Sequence, residues 1–223
     1  MPPITLWFLQ ASRSIRTAWL LEELQLPYTV KFFDRTPEGK APQSLKEAAG
    51  SPLGKAPTIQ DGDLTIYESG AITEYLCEKY DKENRLIPSS VNEPARVKVQ
   101  QWIHASEATF ALHGIAVLYA RWTLPEAVKA DGRTLEAMEA QMAGNVQNDI
   151  DWLEAELKAS KGRFLLGDEV TAADIMMHFS LSFILARQLG TKGRSWPAVE
   201  KWLGDCEGTE GFRRAVGKTG HKM

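Results

Sequence analysis

Three short segments in the first 75 residues carry polar side chains where a helix or strand is predicted to begin. Residues 11–16, Ala-Ser-Arg-Ser-Ile-Arg, separate an apolar run from the first amphipathic stretch. A hydroxyl at such a place lies beside unpaired backbone amides at the positive end of a helix, and this environment stabilises an anion. A capping serine gives the same pattern, so Ser12 and Ser14 are either anion ligands or helix caps.

The other two segments could also meet an anion or a peptide. In residues 54–58, Pro57 stands between a turn and a strand. A cis bond before it would expose the backbone N–H and carbonyl of Ala56 as a short strand-like edge, although most bonds to proline are trans. In residues 67–72, Ser69 begins a predicted helix, where its amide and hydroxyl suit a carboxylate or serve only as a cap.

Several other kinds of site are not indicated. The chain has no GxxxxGKS/T, GxGxxG or GxSxG motif, which argues against a P-loop NTPase, a dinucleotide site and an α/β-hydrolase. Its four histidines never have HExxH spacing and no CxxC occurs, so neither a zinc site nor a dithiol centre is expected. With a formal net charge of −3, a nucleic-acid partner is not expected.

The composition is that of an ordinary globular protein. The 223 residues are 43% hydrophobic and 25% charged, which is enough for a core without disulfides. The two cysteines, Cys77 and Cys206, fit a reducing compartment. No apolar run approaches the roughly 20 residues that span a bilayer, and residues 1–10 lack the features of a secretory signal. We therefore expect a cytoplasmic protein without a transmembrane segment.

Short strands and helices must position the three polar segments. Alternating and β-branched patterns predict strands at 4–8, 28–33, 58–60 and 64–67. Apolar residues at helical spacing predict helices at 15–24 and 44–49 and from residue 69 onwards. The sequence Asp61-Gly62-Asp63 between two short strands indicates a hairpin.

The second half of the chain has almost no strand signal. Its helical stretches are predicted at 95–119, 134–159, 172–189 and 198–205. Thr171 and Asp174 have the spacing of a capping box at the start of one of them. We predict an α/β domain at 1–81, a linker at 82–93 and an all-helical domain at 94–223, with the basic residues 212–223 as a solvated tail.

The order and spacing of these segments resemble the glutathione S-transferase superfamily. The resemblance rests on the SRSxRxxWLLEEL opening, the PLGKAP turn, the ESGAI helix start and the VTAADI cap, and it spans essentially the whole chain. The opening is closest to serine-type fungal and bacterial members related to yeast glutathione transferase 1. It implies a thioredoxin-like N-terminal domain of order βαβ-α-ββα, followed by an α-helical bundle domain.

The resemblance also implies a glutathione site. Pro57 matches the family's cis-proline, so the backbone of Ala56 would pair with the cysteinyl part of glutathione. Glu68 and Ser69 would hold the γ-glutamyl end. Glutathione is then a co-substrate, and no metal is expected.

The resemblance also indicates which residues would bind the glycyl carboxylate and which would stabilise the thiolate of glutathione. Lys55, with Arg13 as a helper, would meet the glycyl carboxylate. A free thiol has a pKa of about 8.5, and hydrogen-bond donors or a helix N-terminus lower it to about 7 or below. Ser12 would donate to the sulfur, with Ser14 as the second candidate. Residues 7–9 hold no tyrosine, and no cysteine lies near residue 12, so tyrosine-type and cysteine-type mechanisms are not expected.

The electrophile would lie against the helical half. Its lining residues on the long helix after the linker would be Phe110, His113, Ile115 and Tyr119, unless these pack in the core. The implied function is conjugation of glutathione to small hydrophobic electrophiles, with hydroperoxide reduction as a side activity, in a homodimer. A non-catalytic glutathione-binding or structural module of the same fold is the alternative.

Overall fold

Four strands form one mixed sheet in the N-terminal part of the chain. The structure, a computed structural model, describes residues 3–223. The strands are β1 (Ile4–Leu9), β2 (Tyr28–Phe33), β3 (Thr58–Asp61) and β4 (Leu64–Tyr67). Their order in the sheet is β2-β1-β3-β4, with β1 parallel to β2 and antiparallel to β3. The predicted βαβ unit and hairpin are confirmed.

Three helices accompany the sheet, namely α1 (Ser14–Glu23), α2 (Gln43–Ala49) and α3 (Ser69–Tyr80). The first helix is the crossover between the parallel strands β1 and β2, and most of its residues are buried. The second ends at Gly50, whose φ of 65° places it in the left-handed region that favours glycine. A small core of Trp7, Leu9, Leu45 and Ala49 holds α2 against the sheet.

After α3 the described chain consists of helices and the loops that join them, with an isolated bridge between Phe164 and Gly167. The helices are α4 (Glu93–Ala105), α5 (Leu112–Thr123), α6 (Glu126–Lys129), α7 (Arg133–Ala159), α8 (Ala172–Ala186), α9 (Pro197–Glu207) and α10 (Glu210–Thr219). A π-helical segment (Ser106–Ala111) joins α4 to α5 without a break, and a 3-10 turn (Ser90–Asn92) precedes α4. The predicted fold class is therefore confirmed.

Residues 3–223 lack two features, a membrane-spanning helix and a cluster of metal-ligating side chains. None of the helices there has the length and apolar character needed to cross a membrane. The same residues contain no group of three or more His, Cys, Asp or Glu side chains that could hold a metal ion.

The basic C-terminal stretch is a helix, and its prediction as a solvated tail was wrong. Helix α10 packs along α1 and buries Phe212 and Ala215. A Cβ on Gly211 would lie 2.2 Å from Glu23 Oε1, so a larger residue there would have to displace the end of that side chain. The apolar positions 212, 215 and 216 have helical spacing, but the basic residues between them hide it.

The predicted capping box at the start of α8 is present. Its carboxylate also forms hydrogen bonds with two other segments of the helical half. The N–H and hydroxyl of Thr171 donate to Asp174 Oδ2 at 3.0 and 2.9 Å. The other carboxylate oxygen accepts from the N–H of Leu165 and from Trp202 Nε1 of α9, both at 2.9 Å. Asp174 has no exposed surface, so all these bonds lie in the core.

Candidate functional site

The turn between β1 and α1 brings the two candidate serines together. Ser12 Oγ lies 2.9 Å from Ser14 Oγ and 2.7 Å from the carbonyl of Leu9, and it accepts from the N–H of Ser14 at 3.1 Å. Ser14 has no exposed surface, and its Oγ accepts from the N–H of Leu9 at 3.3 Å. Ser12 retains 6% exposure. The hydroxyl of Ser14 therefore binds a buried backbone N–H, and Ser12 is the serine nearer to the surface.

Unpaired backbone amides lie at the same turn. Within the described residues, the N–H groups of Ser12 and Arg13 have no hydrogen-bond partner. Ala11 has a φ of 50°, in the left-handed region, and this conformation turns the chain from the strand towards the helix. The amides lie at the N-terminal end of α1, where the helix dipole favours an anion.

A backbone edge lies beside this turn. The bond between Ala56 and Pro57 is cis, as the resemblance implies. In residues 3–223 neither the N–H nor the carbonyl of Ala56 has a hydrogen-bond partner. The register pairs Trp7 with Thr58, so the chain just before Thr58 runs past the end of β1, from which the turn with Ser12 starts. The structure thus presents a free edge next to the candidate anion site.

A tight turn leads into this edge. Gly54 has a φ of 61°, and a Cβ there would lie 2.7 Å from the Cβ of Lys46, so both conformation and space require glycine. Lys55 follows it, is exposed, and forms no ion pair with any described residue. Its ammonium group is available for a ligand carboxylate.

The start of α3 has an unusual backbone. Glu68 has a φ of 72° and a ψ of 114°, a costly conformation for a residue other than glycine, and such residues cluster at ligand sites. Its carboxylate is exposed and unpaired within the described part of the chain. Ser69 is buried, and its Oγ accepts from Arg16 Nη1 at 3.1 Å.

A buried arginine joins this site to the helical half. Besides Ser69, Arg16 binds Glu107 of the π-helical segment, and its Nη2 donates to Ser180 Oγ of α8 at 2.7 Å. The hydroxyl of Ser180 in turn donates to the carbonyl of Ser106 at 2.7 Å. Burial lowers the pKa of Arg16 to about 10, so the guanidinium remains charged at neutral pH.

Glu107 also engages the arginine that was predicted to help bind the glycyl carboxylate. Arg13 Nε donates to Glu107 Oε1 at 2.6 Å, so the charge of Arg13 is already paired across the two halves. Burial alone would raise the pKa of Glu107, but the charges of Arg16 and Arg13 outweigh burial and hold it below its ordinary value. Sequence reasoning missed Glu107 and Ser180 because they lie 91 and 164 residues from Arg16.

The residues predicted to line the electrophile pocket do not share one environment. Phe110 has no exposed surface and packs 6.3 Å from Trp102 and 6.0 Å from Trp152, measured between ring centroids. It belongs to the core, which is the alternative that the sequence left open for these residues. His113 is partly exposed, and its Nδ1 lies 2.6 Å from Asp149 Oδ2, which joins α5 to α7.

The other two predicted lining residues can reach solvent. Tyr119 is 54% exposed, and its ring lies 6.0 Å from that of Trp122, which is also exposed. Ile115 is partly buried one turn before Tyr119 on the same helix. Trp122 is not among the pocket residues predicted from the sequence, although its aromatic type and its spacing from Tyr119 could have indicated it.

Comparison with known proteins gives consistent matches over most of the chain. Residues 12–79 match the N-terminal domain of glutathione S-transferases, and residues 115–210 match the C-terminal domain. Glutathione S-transferase 3 of Schizosaccharomyces pombe is 29% identical over 209 residues, which are 90% of this chain and 81% of the relative. Glutathione S-transferase 1 of Saccharomyces cerevisiae is 25% identical over 222 residues, 95% of this chain and 93% of the relative.

A solved structure gives the same result. The crystal structure of a glutathione S-transferase from Actinobacillus pleuropneumoniae is 30% identical, matches with a TM-score of 0.79, and covers 98% of this chain and 93% of its own. The predicted superfamily and the relationship to fungal members are confirmed. The chain belongs to the glutathione S-transferase family.

Proposed function

We propose that this protein conjugates the thiolate of glutathione to small hydrophobic electrophiles, in a detoxifying role. The observation that carries the proposal is the unpaired backbone edge of Ala56 beside the unpaired amides at the start of α1. An edge of this kind pairs with an extended peptide, and helix-terminal amides favour an anion. A cysteine-containing tripeptide could use both features at once.

The sulfur would be activated at the turn that carries Ser12. Pairing with Ala56 places the cysteinyl sulfur near Ser12, whose hydroxyl turns from the carbonyl of Leu9 to donate to the thiolate. Such donors at a helix N-terminus lower a thiol pKa to about 7 or below. The thiol proton leaves to water. The sulfur then attacks the electrophilic carbon, forming a C–S bond as the leaving group departs with the electrons of its bond.

The two ends of glutathione would meet charges that the described protein leaves free. The exposed carboxylate of Glu68 suits the ammonium of the γ-glutamyl group, and the helix-start amide of Ser69 suits its carboxylate. Lys55 suits the glycyl carboxylate. With Arg13 paired to Glu107, Lys55 is the principal partner at that end.

Calorimetry and an activity assay test this proposal together. We expect saturable heat of glutathione binding in the millimolar range and thioether formation with an activated aryl halide. Absence of saturable binding would contradict the transferase proposal. Saturable binding without turnover on any of several aryl halides and enones would favour the non-catalytic module instead.

The variant Glu68→Gln tests the assignment of the γ-glutamyl end. Loss of a charge-assisted hydrogen bond of about 1.5–3 kcal/mol should weaken glutathione binding roughly 10- to 100-fold, with little change in kcat. The matched control is Glu78→Gln, an exposed carboxylate near the other end of α3, the helix that Glu68 precedes. Equal affinities of the two variants for glutathione in calorimetry would show that Glu68 does not hold the ligand.

We also propose hydroperoxide reduction by the same thiolate. The sulfur attacks the terminal peroxide oxygen, the O–O bond breaks, and glutathione sulfenic acid and an alcohol result. A second glutathione then displaces water to give glutathione disulfide. Consumption of two glutathione molecules per alkyl hydroperoxide is the expected stoichiometry, and no consumption above the uncatalysed rate would remove this activity.

A homodimer in the cytoplasm completes the proposal. Leu64 and Tyr67 on the edge strand β4, and Val97 on α4, are exposed apolar side chains that a partner subunit could cover. Both cysteines, Cys77 and Cys206, are free and buried, which fits a reducing compartment. Sedimentation equilibrium at the mass of one chain would contradict the dimer, and localisation of a tagged protein tests the compartment.

A further inference from the structure

Two side chains, those of Gln10 and Arg35, form hydrogen bonds with the backbone of the turn that carries Ser12. Gln10 Oε1 accepts from the N–H of Ala11 at 2.9 Å. Arg35 Nε donates to the carbonyl of Gln10 at 2.9 Å, and its Nη2 donates to the carbonyl of Ala11 at 2.8 Å. The left-handed conformation of Ala11 is thus fixed at both its N–H and its carbonyl.

The position of Arg35 follows from the sheet. It lies two residues after β2, whose last residue, Phe33, pairs with Leu9 at the end of β1. Its third donor, Nη1, binds the carbonyl of Gly39 at 2.9 Å. In the described chain Arg35 forms no ion pair, although it is half-buried. Burial, and then the like charge of Arg187, lower its pKa. All three bonds of this cation go to carbonyls.

The geometry of the peptide group links Arg35 to the candidate anion site. In a planar trans peptide the carbonyl and the following N–H point in opposite directions. The bond from Arg35 to the carbonyl of Ala11 therefore directs the N–H of Ser12 away from Arg35. That N–H has no partner within residues 3–223.

We propose that Arg35 is a positioning residue for thiolate formation: its planar fork fixes the carbonyls of Gln10 and Ala11 and so keeps the Ser12 amide and hydroxyl directed at the glutathione sulfur. This inference rests on the proposed function. It requires the fork as well as the charge, because a lysine cannot hold two successive carbonyls in one plane.

Gln10 gives the turn a second anchor. Its Nε2 donates to the carbonyl of Gly220 at 2.8 Å, and its Oε1 accepts from the N–H of Lys222 at 3.0 Å. The chain after α10 therefore packs on the same turn. His221, between these two residues, lies edge-on to Phe8 with ring centroids 6.1 Å apart. Gln10 thus offers a second, independent test of the same inference.

The test measures the pKa of bound glutathione from thiolate absorbance and from the pH dependence of kcat/KM. For both Arg35→Met and Arg35→Lys we expect this pKa to rise by about one unit, with kcat/KM near neutral pH falling roughly tenfold. Gln10→Ala should raise it in the same direction. The matched control is Arg85→Met, a similarly half-buried arginine that binds the carbonyl and carboxylate of Glu23 at the far end of α1.

The outcomes separate this inference from the proposed function. If the wild-type protein lowers the thiol pKa and folded Arg35→Lys and Gln10→Ala lower it equally, the role of Arg35 is overturned. The proposed function would stand in that case. A shift of the same size in Arg85→Met would also overturn it, because the effect would then follow from general destabilisation. If the wild-type protein itself does not lower the thiol pKa, the proposed function fails.

Discussion

Replacing Ser12 with alanine is expected to slow glutathione conjugation by about 10²–10³-fold, the usual cost of removing one preorganised donor to a developing or stabilised anion. The backbone contacts proposed to hold glutathione do not involve the hydroxyl, so the Kd should change far less than the rate. Part of the loss arises because a higher thiol pKa leaves less thiolate at neutral pH. Steady-state kinetics at saturating glutathione, together with calorimetry, measure both effects.

Ser14→Ala is the matched control for this variant. Ser14 is fully buried and accepts from the N–H of Leu9, so its loss leaves a buried donor unpaired at a cost of about 1–3 kcal/mol of stability. We expect a lower Tm and a nearly normal rate. The reverse result, a slow Ser14→Ala enzyme and a fast Ser12→Ala enzyme, would show that the sulfur meets the other hydroxyl.

Among these variants, Arg16→Met is expected to lower the free energy of unfolding the most. Removing one partner of a buried ion pair costs about 3–5 kcal/mol, because the other partner is left uncompensated. Here Glu107, Ser69 and Ser180, which belong to three different elements, all lose the donor that Arg16 supplies, and Glu107 keeps only its partly exposed partner Arg13. For a chain of this size the loss corresponds to a fall in Tm of roughly 6–20 °C. Differential scanning calorimetry and urea unfolding measure it.

Arg13→Met removes a cation from the same carboxylate and is the control. Arg13 is partly exposed, so its pair with Glu107 should contribute less than about 1 kcal/mol. The pH dependence gives a second check. The pKa of Glu107 is lowered on folding, so its stabilisation is present above its unfolded pKa of about 4.3 and is lost as pH falls through the folded value. Glu107→Gln should lack this acid-dependent loss. Equal stabilities of Arg16→Met and Arg13→Met would contradict the buried link.

Local patterns were sufficient for most of the elements. The strand at 28–33 and the hairpin through Gly62 follow from β-branched runs and turn residues, which act over a few positions. The capping box of Thr171 and Asp174 is equally local, and it was predicted correctly. The additional bonds of Asp174 to Leu165 and Trp202 were not predicted, because no spacing rule relates a carboxylate to an indole 28 residues away.

Only part of the candidate site could be predicted from the sequence. Helix starts and turn residues indicated Ser12, Pro57 and Ser69, because amide exposure follows from local chain geometry. Periodicity placed Phe110 on a helix face but could not say whether that face meets the core or a cleft. The assignment of Arg13 to a ligand also ignored a competing carboxylate in the distant π-helical segment.

The π-helical segment between α4 and α5 has a consequence for related chains. One residue of an α-helix turns the chain by about 100°, and a π-helical turn contains more residues than an α-helical one. Deleting a single residue there would restore a regular α-helix and leave α5 close to its present rotation about the helix axis, because the wider π-helical turn accommodates one extra residue. Arg121 would then keep the carbonyls of Arg187 and Gln188, which it binds at 2.8 and 3.0 Å. A one-residue deletion in this segment thus preserves which side chains of α5 face the helical core, whereas the same deletion within α4 or α5 would turn them by about 100°.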